Sequence, residues 1–119
     1  MNGDLATTGG APGLDRAEVL AATVAQLRKD LNAPMPVVPG VGDGAFEALR
    51  AQVLPVLEER HRQGPHALGV VLYRVDLPEG HARRSMAAGG LPELAGQVVL
   101  RALQKVLTRL RYADLQKPE

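Results

Sequence analysis

The stretch from Pro92 to Tyr112 constrains this chain more than any other. Only Gly96 interrupts a run in which Leu94, Ala95, Val98, Val99, Ala102, Leu103, Val106, Leu107 and Leu110 recur with helical spacing. At 100° per residue these side chains cover an arc of roughly 200°. A helix lying on a surface needs a narrower stripe. An arc this wide asks for two or more neighbouring helices, or for a face shared with a second subunit. The expected fold is therefore all-α, a compact bundle of four to five helices with the C-terminal helix, about 92–112, at its centre.

The rest of the chain supplies the neighbours. Asp15 and Glu18 have capping-box spacing, with Leu14 and Val19 at the staple positions, so a helix is expected over 15–31. Leu20, Val24, Leu27 and Leu31 form its apolar stripe, and Asn32-Ala33-Pro34 ends it. Residues 32–44 hold three prolines and three glycines and read as a crossover. Its Pro36-Val37-Val38-Pro39 has PxxP spacing, which suits a stiff connection better than a ligand for an aromatic groove. A second helix is expected over 45–63, with Phe46, Leu49, Val53, Val56, Leu57 and the stem of Arg60 on one face. Pro55 falls opposite that face, where it kinks a helix rather than ending it.

Residues 66–77 are nearly continuously apolar and β-branched, compatible with a helix or one buried strand. A strand needs partners and no other segment offers one, which favours helix. Asp76 and Glu79 repeat the capping-box spacing, so a short helix over 78–88, stopped by Gly89-Gly90, should follow. The domain reading is a flexible tail at 1–13, a single helical domain at 14–112, and a frayed end at 113–119.

Composition removes several kinds of function. The chain has no cysteine, so disulfides and thiolate metal sites are excluded. Met1 to Gly13 has neither the basic nor the apolar region of a secretory signal, and no apolar run reaches the roughly 18 residues of a membrane span. A cytoplasmic protein without membrane contact is expected. Eleven of the 14 basic residues are arginine and isoleucine is absent. That bias points to a GC-rich genome, so arginine abundance is weak evidence for nucleic-acid binding. Phe46, Tyr73 and Tyr112 are the only aromatics, too few for a base-stacking platform.

Candidate chemistry is sparse. Glu58 and His61 have the ExxH spacing of di-metal bundles, but those sites need a second ExxH and further glutamates. No metal site, cofactor or catalytic residue is expected, and the chain reads as a non-enzyme. An enzyme would need Glu58, His61, Arg74 and Asp76 gathered in one pocket. Arg74 and Asp76, flanking Val75, are expected to form a structural ion pair or cap. The one patterned charge feature is the basic face Arg101, Lys105 and Arg109, joined by Arg111 and Lys117. Cations late in a helix oppose the negative end of its macrodipole. The alternative use is phosphate contact, with 78–88 and 92–112 as a helix-turn-helix. A net charge of +1 gives that use little long-range attraction.

The run LGVVLYRVDLPEG, followed by ELAGQVVLRALQKVLTRLRYA, resembles a group of small uncharacterised bacterial proteins. These pair a "LYRID" segment with a C-terminal "LI-R-QK---R-KYS"-like helix. The resemblance rests on Leu72, Tyr73, Arg74, Val75, Asp76, Arg101, Gln104, Lys105, Arg109 and Tyr112. It implies an all-helical fold with 66–76 helical, and it implies no activity. The leading expectation is a structural or protein-interaction domain, with a homodimer or another protein as partner. The rival is a nucleic-acid-binding domain using Arg101, Lys105, Arg109 and Arg111.

Overall fold

A computed structural model of the chain describes residues 13–34 and 38–116, with side chains through Asp114. The start of the N-terminal tail, Pro36 and Val37 of the PxxP run, and Lys117 lie outside the described residues.

Four helices follow one another: α1 (Ala17–Leu31), α2 (Ala45–Gln63), α3 (Pro65–Val75) and α4 (Glu79–Gln116). The fold is all-α, with α4 packed against each of the other three. The apolar 66–77 run is helical, and the strand alternative is not realised.

The wide arc of α4 is covered within the chain. Leu94, Ala95, Val98, Val99 and Ala102 are fully buried, and Leu103 and Val106 nearly so. Facing them are Val19, Leu20, Val24, Leu27 and Leu31 from α1, Leu49, Val53 and Leu57 from α2, and Val71 and Val75 from α3. Each large side chain so buried contributes about 1.5–3 kcal/mol. Three neighbours absorb what the periodicity could also have assigned to a second subunit. Only the last turns leave the core, where Leu110 is 38% and Tyr112 61% exposed. The helix continues to Gln116, through the beginning of the segment expected to fray. Gly96 sits at a close approach between helices: a β-carbon there would meet Arg50 Cδ at 3.3 Å and Phe46 Cζ at 3.4 Å.

Both capping boxes are replaced by other arrangements. At α1, Arg16 rather than Asp15 holds the extended N-cap dihedrals, and no side chain caps the helix. The turn that buries Leu14, closed by Arg16 N–H donating to the Gly13 carbonyl, moves the helix start along the chain. Glu18 instead accepts from Arg16 Nη2 at 2.9 Å. That hydrogen bond, helped by the guanidinium charge, holds the Glu18 carboxyl below its ordinary value. At α3, Asp76 adopts left-handed dihedrals as the C-cap and caps nothing in α4. Asp76 N–H donates to Tyr73 O and Leu77 N–H to Leu72 O, a Schellman closure.

Pro55 lies inside α2 on its exposed side, as its register requires. Gly90 is the one non-helical residue inside α4, at φ 73° and ψ −155°. That break divides α4 into two helical segments meeting at a kink, so the short helix expected before Gly89-Gly90 and the long one after it are both present.

Candidate functional site

Basic side chains from α2, α3 and α4 reach the C-terminal parts of α1 and α3. The last four carbonyls of an α-helix have no partner within it. In α1 these belong to residues 28–31, and every one is satisfied. The Asn32 and Ala33 N–H groups donate to Arg28 O, Asn32 being left-handed at φ 51°. Arg74, from α3, donates Nη2 to Lys29 O at 2.7 Å and Nε to Asp30 O at 3.0 Å. Arg60, from α2, donates Nη2 to Leu31 O at 3.1 Å.

The end of α3 is held the same way. Lys105 Nζ donates to Arg74 O at 3.2 Å, and Arg101 Nε to Asp76 O at 3.0 Å. Arg101 Nη2 also meets Asp76 Oδ2 at 2.8 Å. That hydrogen bond and the guanidinium charge, with a smaller contribution from Lys105, hold the Asp76 carboxyl below the usual aspartate value. Lys105 reaches Asp30 Oδ2 at 2.8 Å, while Asp30 Oδ1 accepts from Gln26 Nε2 at 3.0 Å. Gln26 Oε1 in turn accepts from Arg109 Nη1 at 2.7 Å. Cations at helix C-termini are favourable both as donors and against the macrodipole. Here the helices they serve are α1 and α3 rather than α4.

Arg74 and Asp76 thus act separately: Arg74 caps α1, and Asp76 pairs with Arg101 rather than with its neighbour. Of the four residues named for phosphate contact, Arg101, Lys105 and Arg109 are hydrogen-bonded inside the chain. Arg111 is exposed, with no hydrogen-bond partner among the described residues.

A groove lies on the other side of α3, between it and the first part of α4. Its volume is about 810 Å³. Leu68, Leu72, Leu77, Ala82, Met86 and Leu94 form its apolar walls, with His61, Tyr73, Asp76, Glu79 and Arg83 around the rim. That size and lining match ordinary binding clefts. Glu58 and Arg74 do not line it, so His61 and Asp76 are not joined by the other two residues an enzyme reading required. Among the described residues no three His, Asp or Glu side chains cluster as metal ligands would.

The outer face of α3 exposes apolar side chains that no other described residue covers. Val70 is 44% and Tyr73 86% exposed. Pro65, His66, Gly69, Val70 and Tyr73 border a second, shallower depression of about 510 Å³. Sequence reasoning missed this surface, because a run apolar on all sides gives no sign of which side stays uncovered. Within Leu72–Asp76 the fold uses Leu72 and Val75 for packing, Arg74 as a cap and Asp76 as an ion pair. Tyr73 is the member for which the fold has no use.

Among the described residues no helix is long and apolar enough to cross a membrane. Comparison with protein families, with curated proteins and with solved structures finds no match for this chain.

Proposed function

We propose that this chain is a non-enzymatic protein-interaction domain that receives an apolar helix face of a protein partner. The docking surface is α3 with the groove beside it. The observation that carries this reading is Tyr73, a large aromatic side chain 86% exposed beside an apolar groove. Exposed aromatics next to apolar recesses are the usual anchors of protein interfaces, and a helix laid into a groove is a recurring recognition mode. The homodimeric form of this reading shifts from α4, whose arc the chain covers itself, to α3.

The nucleic-acid alternative draws less support. Its principal cations donate to carbonyl, carboxylate and amide oxygens of the same chain, which leaves fewer donors for phosphate. Binding to DNA or RNA that falls steeply with salt, and that is lost on charge reversal at Arg109 and Arg111, would favour it over the interaction domain.

A photo-crosslinking side chain placed at Val70 in the full chain, in its native host, tests the proposal. One discrete protein adduct is expected, lost when Tyr73 is replaced by lysine. The same group at exposed Ala25 on α1 should give none. Equal patterns at the two positions, or no adduct at Val70, would overturn the reading.

A further inference from the structure

We infer that the first part of α4, residues 79–89, is a hinged arm that undocks from the bundle about Gly90 and so opens and closes the groove beside α3. The motion belongs to this chain alone and does not depend on what the groove receives.

The arm is fastened differently from the rest of α4. Beyond Gly90, Leu94, Ala95, Val98, Val99 and Ala102 are fully buried. Arg101, Lys105 and Arg109 there donate to α1 and to the end of α3. Within 79–89 only Ala82 and Ser85 are buried, with Met86 partly buried against the core. The arm's ion pair, Arg83 with Glu79, stays inside it, as does the hydrogen bond from Ser85 Oγ to His81 O. Among the described residues, undocking therefore breaks no side-chain hydrogen bond or ion pair to another helix, and it uncovers little apolar surface.

Both ends of the arm meet fixed points. Before it, Arg101 holds Asp76 O and Asp76 Oδ2. After it, Arg50 Nη1 from α2 donates to Pro92 O at 3.4 Å. Between the arm and Pro92 lies Gly90, at φ 73° and ψ −155°, where the helix is broken. Pro92 has no N–H to donate one turn back, so the hydrogen-bond ladder is interrupted after the break as well. Hinges of moving segments are a few such residues that absorb the change in dihedrals.

The groove is bounded by what moves and what does not. Ala82 and Met86 line it from the arm, Leu68 and Leu72 from α3, and Leu94 from beyond the hinge. Leu94 is fully buried while the arm is docked, so undocking enlarges the apolar surface that the closed groove offers.

Once undocked, so short a helix does not persist in water, and amide exchange reports the motion. In native-state hydrogen exchange of the full chain, amides 83–89 should exchange together, at least about 100-fold faster than those of 94–106. Low urea should barely change the arm's rates and should steeply raise those of 94–106, which need global unfolding. The chain lacks cysteine, so spin labels can be placed at chosen pairs. Labels at Arg84→Cys and His66→Cys join the arm to α3; labels at Gln104→Cys and His66→Cys join α4 beyond the hinge to α3. Met86→Ala, which removes the arm's largest apolar side chain, should raise the undocked fraction about tenfold and add a second distance to the first pair alone. Arm amides that follow urea as steeply as those of 94–106 overturn the inference. So does a single unchanged distance for the arm pair in Met86→Ala. A second distance in both pairs would mean that α3 moves rather than the arm, and overturns it too.

Discussion

Lys105 Nζ stands 2.8 Å from Asp30 Oδ2, tying α4 to the last turn of α1, and the two side chains are only 19% and 7% exposed. Asp30 also accepts from Gln26, and Lys105 also donates to the α3 carbonyl of Arg74. One ammonium group thus touches two other helices. A charge pair this enclosed is costly to break on one side, because the remaining ion stays buried.

Lys105→Met should therefore destabilise the fold by about 3 kcal/mol. The double variant Asp30→Leu with Lys105→Met, which leaves no orphaned charge, should lose less than that single variant. Urea unfolding of the wild type and the two variants checks this. A double variant less stable than Lys105→Met would show that the charge pair is not what the single change disrupts.

Asp76 predicts a pH dependence of definite sign. Its carboxyl is held below the ordinary aspartate value by Arg101, so the folded state binds fewer protons than the unfolded state at acid pH. The resulting stability is fully present above the unfolded value, about 4, and is lost as pH falls through the lower folded value. Arg101→Gln should move the Asp76 titration upward, read from its carboxyl carbon shift by NMR. An unmoved titration would contradict the pairing.

Gly90 should resist substitution for a conformational reason. Its φ of 73° and ψ of −155° lie in a region open almost only to glycine, while a β-carbon would meet nothing closer than Pro92 Cδ at 3.8 Å. Gly90→Ala should cost about 2 kcal/mol in chemical denaturation, with little change in the denaturant slope. A cost below about 0.5 kcal/mol would mean that α4 can run straight through this point.

Pro55 makes the opposite prediction. It is exposed inside α2 and supplies no N–H to the helix. Pro55→Ala should stabilise the protein by about 1 kcal/mol, the restored hydrogen bond outweighing the greater freedom of the unfolded chain. A lower melting temperature would show that Pro55 itself is needed for α2 to follow α4.

What the residues determined alone was local. The bounds Ala45–Gln63, the exposed side taken by Pro55, the stop of α1 at Asn32 and the buried stripe from Leu94 to Val106 all follow from spacing within a few helical turns. Periodicity and cap preferences act over that range, so they are readable along the chain. The same local grammar misassigned Asp15 and Asp76 as helix N-caps. Burial of Leu14 shifted one helix start, and Arg101, distant in sequence, captured the other carboxylate.

The tertiary structure decided where the cations point and which apolar side stays bare. Along the chain Arg101, Lys105 and Arg109 read as a basic face, Arg74 as a structural ion pair or cap and Arg60 as a stem on an apolar face; their acceptors on α1 and α3 appear only when the helices are brought together. Those acceptors lie 25–83 residues away along the chain. The wide arc of α4 likewise became an internal core once three helices closed on it. On α3 the outer side stays open, because a short helix buries one side against α1, α2 and α4 and shows Tyr73 on the other.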